Sequence, residues 1–241
     1  SAGEHYIDIV GVTGSIPVSR TTNVNSFRKN QMSQLLKSLQ NNRVVPLVES
    51  NNPTTALKVS EALLKGGLNV LEVVLRTDQA LNCLEAIVKE FPQAHVGAGT
   101  VLNADQSQEV IRRGASFIVS PGLDVSSIEV AHAAEITILP GVATATELQK
   151  ALNLGLNTVK LFPASLVGGP KILKAFSSVF QDIQFMPTGG VNPNNLLEYL
   201  SIPSVLACGG SWLTPGDAVE SKNYDAITKL ALEAIKLTQL K

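Results

Sequence analysis

The sequence predicts a single α/β domain, a (β/α)8 barrel, from two features of its pattern. From Arg43 onward the chain repeats a short run of Val, Ile and Leu, a polar or glycine-containing loop, and a helical pattern. Strands that alternate with helices in this way pair in parallel through right-handed crossovers. The pattern recurs about eight times in about two hundred residues, which is the compact end of the size range of such barrels. An open doubly wound sheet is the alternative, but no G-x-G-x-x-G follows the first strand.

The predicted strands are short apolar runs, and helical patterns lie between them. The strands are Val44–Val48, Val70–Leu75, His95–Ala98, Phe117–Val119, Thr137–Leu139, Thr158–Phe162, Ile183–Met186 and Val205–Ala207. The helical patterns include Pro53–Lys65, Asp78–Glu90 and Ala104–Arg113. Leucines at positions 35, 36 and 39 predict a short amphipathic helix before the first strand. A last helix, Tyr224 to Leu237, is expected to close the chain over the barrel.

The first 31 residues differ from the rest of the chain. They lack a sustained period and carry Gly, Ser, Thr and Asn throughout. We expect residues 1–31 to lie outside the barrel, either as a native extension or as a segment added for expression. In the second case Met32 is the native initiator, and in either case residues 32–241 are expected to form the barrel domain.

Composition narrows the class of protein. Lys and Arg number 19 against 20 Asp and Glu, without a basic cluster, so no nucleic-acid or membrane-surface partner is indicated. No apolar run approaches the length of a membrane span, and the start is not a secretory signal peptide. Cys83 and Cys208 lie in apolar patterns as core residues, which fits a reducing, cytoplasmic setting. His5, His95 and His132 have no ligand spacing, so we expect no zinc site. No cofactor is expected.

One lysine stands inside an apolar strand, in the stretch NTVKLFPAS. With a period of two, Thr158, Lys160 and Phe162 share one face, while Val159 and Leu161 share the other. A buried ammonium is costly, so a lysine here loses its charge, finds a partner or does chemistry. Burial lowers a lysine pKa from about 10.4 and supplies the neutral amine that forms an imine. The alternative is a lysine that snorkels into solvent, and this stretch alone does not decide.

Residues at the carboxyl ends of the strands are the ones to examine, because barrel active sites lie at that face. Strand two carries Glu72 and Arg76, which share parity and point inward at different depths. A glutamate beside a lysine gives a proton donor and acceptor, and an arginine grips a carboxylate through two hydrogen bonds. The alternative is a structural Glu–Arg–Lys ion network.

A pair of glycines follows each of strands seven and eight. These two pairs favour a binding site over an ion network. They are Gly189-Gly190 and Gly209-Gly210, the latter followed by Ser211. Glycines leave backbone N–H groups open to an anion, and barrels commonly bind phosphate after these two strands.

The motifs LEVVLRT, GAGTVLN, SPGL, LPGV, VKLFPA, PTGGV and GGSWL occur in this order. From about Val44 to the carboxyl terminus the chain resembles the 2-keto-3-deoxy-6-phosphogluconate (KDPG) aldolase family, which includes 4-hydroxy-2-oxoglutarate (KHG) aldolases. The resemblance implies a homotrimeric class I aldolase without a metal. Its expected reaction cleaves a phosphorylated keto-deoxy sugar acid, KDPG, into pyruvate and glyceraldehyde 3-phosphate.

The resemblance also implies a role for each matching residue. Lys160 is the expected Schiff-base lysine and Glu72 the acid/base, with Arg76 and Thr100 on the pyruvate carboxylate. The remaining residues are Pro121 and Phe162 as walls of the pocket, and Gly189, Gly190, Gly209, Gly210 and Ser211 around the phosphate.

Glu49, at the end of strand one, departs from the family, where a neutral or basic residue is expected. A carboxylate there faces either the substrate hydroxyls or solvent, so the preferred substrate stays open between KDPG, KHG and the C4-epimeric phosphogalactonate. Two other classes share the glycine loops: a sugar-phosphate isomerase or epimerase, and a non-catalytic phosphosugar sensor. Neither requires a lysine inside a strand.

Overall fold

The computed structural model describes residues 34–239, which form an α/β fold around a curled parallel sheet. The predicted extension, residues 1–31, and Met32 lie outside the described residues. The strands in chain order are β1 Val44–Val48, β2 Val70–Val74, β3 His95–Gly99, β4 Phe117–Val119, β5 Thr137–Leu139, β6 Gly141–Val142, β7 Thr158–Leu161, β8 Gln184–Pro187 and β9 Cys208–Gly210. The predicted alternation of strands and helices is confirmed.

Every strand pair is parallel, as expected for strands that helices connect. Six strands pair in the order β5-β4-β3-β2-β1-β9, and three pair in the order β6-β7-β8. Only Pro140 separates β5 from β6. Proline has no N–H to donate to a ladder, but its carbonyl accepts a hydrogen bond from the Lys160 backbone N–H at 2.9 Å. Isolated bridges join Phe185 to Val205 and Thr188 to Gly209.

Helices lie between most of the strands, and several of them begin at polar caps. The described part of α1 covers residues 34–42. The others are α2 Pro53–Lys65, α3 Ala80–Glu90, α4 Ala104–Arg112, α5 Val125–Ala133, α6 Ala145–Asn153, α7 Gly169–Val179, α8 Leu196–Leu200, α9 Gly216–Glu220 and α10 Tyr224–Thr238, with a 3-10 turn at Ser211–Leu213. Asn52 caps α2 by accepting the Thr55 N–H, and Pro53 follows at the first helical position. Thr144 and Glu147 form a capping box at α6.

Buried apolar side chains form two clusters on opposite sides of the sheet. The larger lies between the sheet and the helices, and it includes Val159 and Leu161 of β7. The smaller, which we call the inner cluster, comprises Leu35, Leu39, Val45, Val70, Phe117, Val119, Leu139, Met186, Leu206 and Ala207. Two of its leucines come from α1, which therefore closes one end of the sheet interior. Phe117 fits because Gly97 has no side chain, and a Cβ there would meet the phenyl ring.

The predicted strand bounds are correct to within one residue except at the end of the chain. The predicted last strand, Val205–Ala207, is wrong, because the ladder with β1 forms at Cys208–Gly210 instead. Val205 makes only an isolated bridge to Phe185. The apolar run identified the correct segment, but the residues in the ladder with β1 are Cys208 and the two glycines after it.

Candidate active site

Lys160 lies in the middle of β7 with its side chain on the inner face of the sheet. Its neighbours Val159 and Leu161 pack in the outer cluster, which confirms the predicted alternation. Only 3% of Lys160 is exposed, so the lysine is buried rather than snorkelling into solvent. The register pairs Lys160 with Gly141 on one side and Met186 on the other, so neither neighbour offers a charge.

Glu72, in β2, is the acidic group that faces this lysine. It is fully buried, and its Oε1 lies 3.9 Å from Lys160 Nζ, which is too long for a hydrogen bond. Neither carboxyl oxygen has a hydrogen-bond partner in the part of the chain that the structure describes. The carboxyl group occupies space that Gly99 leaves open, since a Cβ at Gly99 would collide with it. An unpartnered buried carboxyl group is costly, and such groups concentrate at functional sites.

Burial shifts the pKa values of this pair towards the neutral forms. Desolvation raises the pKa of Glu72, and the positive charges of Lys160 and Arg76 oppose that shift. Desolvation lowers the pKa of Lys160, and the Glu72 charge opposes that shift. Because desolvation is the larger cause for both groups, burial shifts Lys160 towards the neutral amine and Glu72 towards the protonated acid. This is the state in which an amine can attack a ketone while an acid donates a proton.

The ring of Phe162 lies beside the amine. Its centroid is 4.8 Å from Lys160 Nζ, at the point where β7 ends and the loop begins. An aromatic wall at this distance excludes water from the amine and adds to its desolvation. The structure therefore brings Lys160, Glu72 and Phe162 together, as the sequence predicts.

Arg76 and Thr100 also lie together, beyond the ends of β2 and β3. Arg76 Nε donates to Thr100 Oγ1 at 3.3 Å, and Arg76 Nη1 lies 3.3 Å from Glu49 Oε2. Thr100 has a φ of 61°, which is rare for a β-branched residue and often marks a functional site. The Glu49 contact was not predicted, because it depends on the register of β1 and β2.

The predicted phosphate-binding residues lie at two adjacent strand ends, since Thr188 bridges Gly209. Gly189 and Gly190 have φ values of 94° and 81°, in the left-handed region that glycine adopts readily. Gly209 packs against Thr188, where a Cβ would meet the threonine side chain. Backbone N–H groups of this kind form anion-binding concavities at low steric cost.

Two further residues of this corner, Ser165 and Trp212, were missed from sequence. The Ser165 N–H donates to the Gly189 carbonyl at 3.0 Å, and its hydroxyl lies against Gly190. Trp212, the single tryptophan of the chain, packs against Gly210. The GGSWL motif contained Trp212, but no sequence signal indicated that the Ser165 loop meets the glycine turn.

Pro121 lies at the end of β4, where its carbonyl meets the space above Gly141. It lines a cavity of about 240 Å³ with Val101, Leu102 and Leu123, next to Thr100. Pro121 is therefore on the same edge of the sheet as the other predicted residues, on the Thr100 side. Its contact with a substrate stays a prediction.

Within the described range, no group of three or more His, Cys, Asp or Glu side chains is arranged to hold a metal ion. The edge of the sheet carries a buried amine, a buried acid and an arginine. No helix among residues 34–239 is long and apolar enough to cross a membrane.

A curled parallel sheet with a buried lysine facing a buried glutamate is the arrangement expected of a lyase that works through an imine. Comparison with known proteins makes the assignment specific. A model of the KDPG and KHG aldolase family matches residues 35–230, and the chain belongs to this family. The resemblance found in the motifs is confirmed.

Two curated relatives illustrate the similarity. The KHG/KDPG aldolase of Escherichia coli K12 is 44% identical over 212 residues, which span 88% of this chain and 100% of the relative. The 2-dehydro-3-deoxy-phosphogluconate aldolase of Pseudoalteromonas atlantica is 45% identical over 192 residues, 80% of this chain and 89% of that protein.

A solved structure is similar over the same region. The KDPG aldolase of Legionella pneumophila is 40% identical, with a TM-score of 0.79, over 81% of this chain and 95% of that one. In that crystal structure, pyruvate was captured at low pH as a covalent carbinolamine intermediate.

Proposed function

We propose that this protein is a class I aldolase that cleaves KDPG into pyruvate and glyceraldehyde 3-phosphate through an imine on Lys160. The observation that carries the proposal is the buried pair of Lys160 and Glu72, with Nζ and Oε1 3.9 Å apart. A sugar-phosphate isomerase or a phosphosugar sensor has no need of a desolvated amine. The names of the relatives support the same reaction.

The first half of the reaction forms the imine. The neutral amine of Lys160 attacks the C2 carbonyl carbon of the substrate, and the nitrogen loses a proton as the oxygen gains one, which gives a carbinolamine. Protonated Glu72 donates its proton to the carbinolamine hydroxyl, which leaves as water. The product is a protonated imine beside a Glu72 carboxylate. Burial raises the pKa of Glu72, which favours the protonated form from which this donation starts.

The second half breaks the carbon–carbon bond. The Glu72 carboxylate accepts the proton of the C4 hydroxyl, the C3–C4 bond breaks, and C4 leaves as the aldehyde of glyceraldehyde 3-phosphate. The bonding electrons form the C2–C3 double bond of an enamine, and the imine nitrogen takes up the displaced electron pair. Glu72 then protonates C3, and water releases pyruvate and restores the amine.

The binding groups lie at two positions around the lysine. Arg76 and Thr100 suit the pyruvate carboxylate, because a guanidinium grips a carboxylate through parallel hydrogen bonds. Gly189, Gly190, Gly209, Gly210 and Ser211 suit the phosphate. No lysine or arginine occurs in these two loops, so backbone dipoles supply the attraction there. Pro121 and Phe162 complete the pocket walls.

We also propose that the two groups of strands belong to one closed (β/α)8 barrel. Pro140 alone interrupts the chain between β5, which pairs with β4, and β6, which pairs with β7. The bridges from Phe185 and Thr188 supply the remaining link, between β8 and the β9 segment. When β5 and β6 are counted as one strand, this closure gives a barrel of eight strands with their carboxyl ends around Lys160.

The homotrimer, the cytoplasmic setting and the domain boundary at Met32 remain proposals. The match of the family model from residue 35 supports a barrel that begins near Met32.

Borohydride trapping tests the proposed function. Reduction in the presence of pyruvate is expected to add one lactyl-sized mass to the peptide that contains Lys160. Lys160→Arg is expected to abolish both this adduct and turnover, because a guanidinium does not form the imine. Lys174→Arg, an exposed lysine on α7, is the matched control and keeps both. An adduct on another lysine, or none in the wild type, would refute the mechanism.

A further inference from the structure

Glu49 lies between the two proposed binding positions. It follows β1 directly, and β1 pairs with β2 on one side and with β9 on the other. The β2 side carries Arg76, while the β9 side carries Gly210, which is in register with Pro46. A substrate that reaches from the carboxylate position to the phosphate position therefore passes the end of β1.

The guanidinium of Arg76 is already partly occupied. Nη1 lies 3.3 Å from Glu49 Oε2, and Nε donates to Thr100 Oγ1 at 3.3 Å. An arginine offers two forked edges to a carboxylate, one formed by Nη1 and Nη2 and the other by Nε and Nη2. Each edge of Arg76 thus has one nitrogen engaged, so a bidentate ligand shares a nitrogen with Thr100 on one edge or with Glu49 on the other.

The two partners of Arg76 differ in what they can do next. The Thr100 hydroxyl is both donor and acceptor, so it can turn and donate to an incoming carboxylate. A carboxylate only accepts, so Glu49 competes with the substrate for Arg76 and repels it. The Glu49 side chain is 51% exposed, so it has room to move from Arg76 towards the mouth of the site.

We propose that Glu49 is a specificity-determining residue that favours substrates with a hydroxyl group next to C4 over substrates with a carboxylate there. The inference rests on the proposed aldolase function. In KDPG the atom beyond C4 bears a hydroxyl, which donates a charge-assisted hydrogen bond to the displaced Glu49 carboxylate. In KHG that atom is itself a carboxylate carbon. It lies one carbon short of the phosphate position and is repelled by Glu49.

Glu49→Gln tests this proposal, because it removes the charge and keeps the shape. We expect the kcat/KM ratio of KHG to KDPG to rise about tenfold, which corresponds to about 1.4 kcal/mol. We also expect the pyruvate concentration that half-saturates borohydride trapping to fall, since the competitor for Arg76 is gone. A general structural effect would not strengthen pyruvate binding, so the trapping measurement distinguishes such an effect from a change in specificity. Glu49→Thr, which removes the carboxylate altogether, is the second variant and is expected to shift the ratio in the same direction.

The matched control is Glu85→Gln, which removes a surface carboxylate 2.8 Å from Arg113 and is expected to change neither readout. A ratio that stays within about twofold of the wild type in both Glu49 variants overturns the proposal. If the wild type forms no pyruvate adduct, the aldolase function fails and this inference fails with it. If the adduct forms but the kcat/KM ratio of KHG to KDPG is unchanged, only the proposed role of Glu49 is refuted.

Discussion

The inner cluster and the Lys160–Glu72 pair occupy the same face of the sheet, yet their environments are opposite. On β2, Val70 belongs to the inner cluster, while Glu72, two residues later, is the buried acid. Residues two apart in a strand lie about 7 Å apart on the same face. The inward face of β2 therefore changes from apolar packing at Val70 to an unpartnered carboxyl group at the next inward-facing residue, Glu72. The amino ends of the strands provide stability, and their carboxyl ends carry groups that folding alone disfavours.

This comparison predicts that catalysis and stability can be lost separately. Glu72→Gln is expected to lower turnover by about 10² to 10⁴, because it removes a proton-transfer group. The thermal midpoint is expected to change little, since the amide keeps the volume of the carboxyl group and replaces one buried polar group without partners by another. Turnover can be followed by coupling pyruvate release to a reductase. Normal turnover in this variant would move the acid/base role to another carboxylate, with Glu49 the first to test.

A substitution in the inner cluster is expected to have the opposite effect, a loss of stability without a loss of the reaction at Lys160. Phe117→Ala is expected to lower the free energy of unfolding by about 3 to 5 kcal/mol, because it leaves a large cavity among packed side chains. For a domain of this size that corresponds to a fall of about 10 °C in the thermal midpoint. Borohydride trapping at low temperature should still label Lys160. Loss of the adduct in a folded variant would show that the two ends of the sheet are not independent.

A smaller effect is expected at the phosphate position. Ser211→Ala removes one hydroxyl donor, so kcat/KM for KDPG is expected to fall about ten- to a hundredfold. The value for KHG, which has no phosphate, should hardly change. Fluorescence of Trp212, which packs against Gly210, offers a second readout when inorganic phosphate is added. An equal loss for both substrates would contradict the phosphate assignment.

The smallest predicted effect is a difference in pH dependence. Because burial lowers the folded-state pKa of Lys160, the unfolded chain binds the extra proton between that value and 10.5, the ordinary value. Stability of the wild type therefore rises with pH through this window. Lys160→Met should be more stable than the wild type at neutral pH, and the gain should shrink as pH approaches 10.5. Thermal melts across this range measure it, and a constant gain would argue against a lowered pKa.

Sequence alone predicted most of the strands, because buried parallel strands are continuous apolar runs. It also placed Lys160 correctly, since a charged residue between Val159 and Leu161 breaks such a run visibly. It failed for the last strand. Gly209 and Gly210 carry no apolar side chain, so their part in the ladder with β1 left no signal.

The candidate site was predicted as a set of residues but not as a set of contacts. The pairing of Glu49 with Arg76 follows from the register of β1 and β2, and one residue of slip would separate them. The approach of Ser165 to Gly190 joins two loops far apart in sequence. Such contacts depend on where chain segments meet in space, which no local pattern encodes.

The two glycines of β3 have a consequence for the evolution of this chain. Gly97 makes room for the ring of Phe117, and Gly99 makes room for the carboxyl group of Glu72. Gly97→Ala is expected to destabilise the fold, because the added methyl group meets the ring of Phe117. Gly99→Ala is expected to displace the catalytic carboxyl group, because the added methyl group meets Glu72. Positions 97 and 99 on the inward face of β3 therefore tolerate little sequence drift, although these two residues contribute no side chain to the packing or the chemistry. A gene library that varies these two codons would separate mutations that lower the amount of folded protein from mutations that lower its activity and leave it folded.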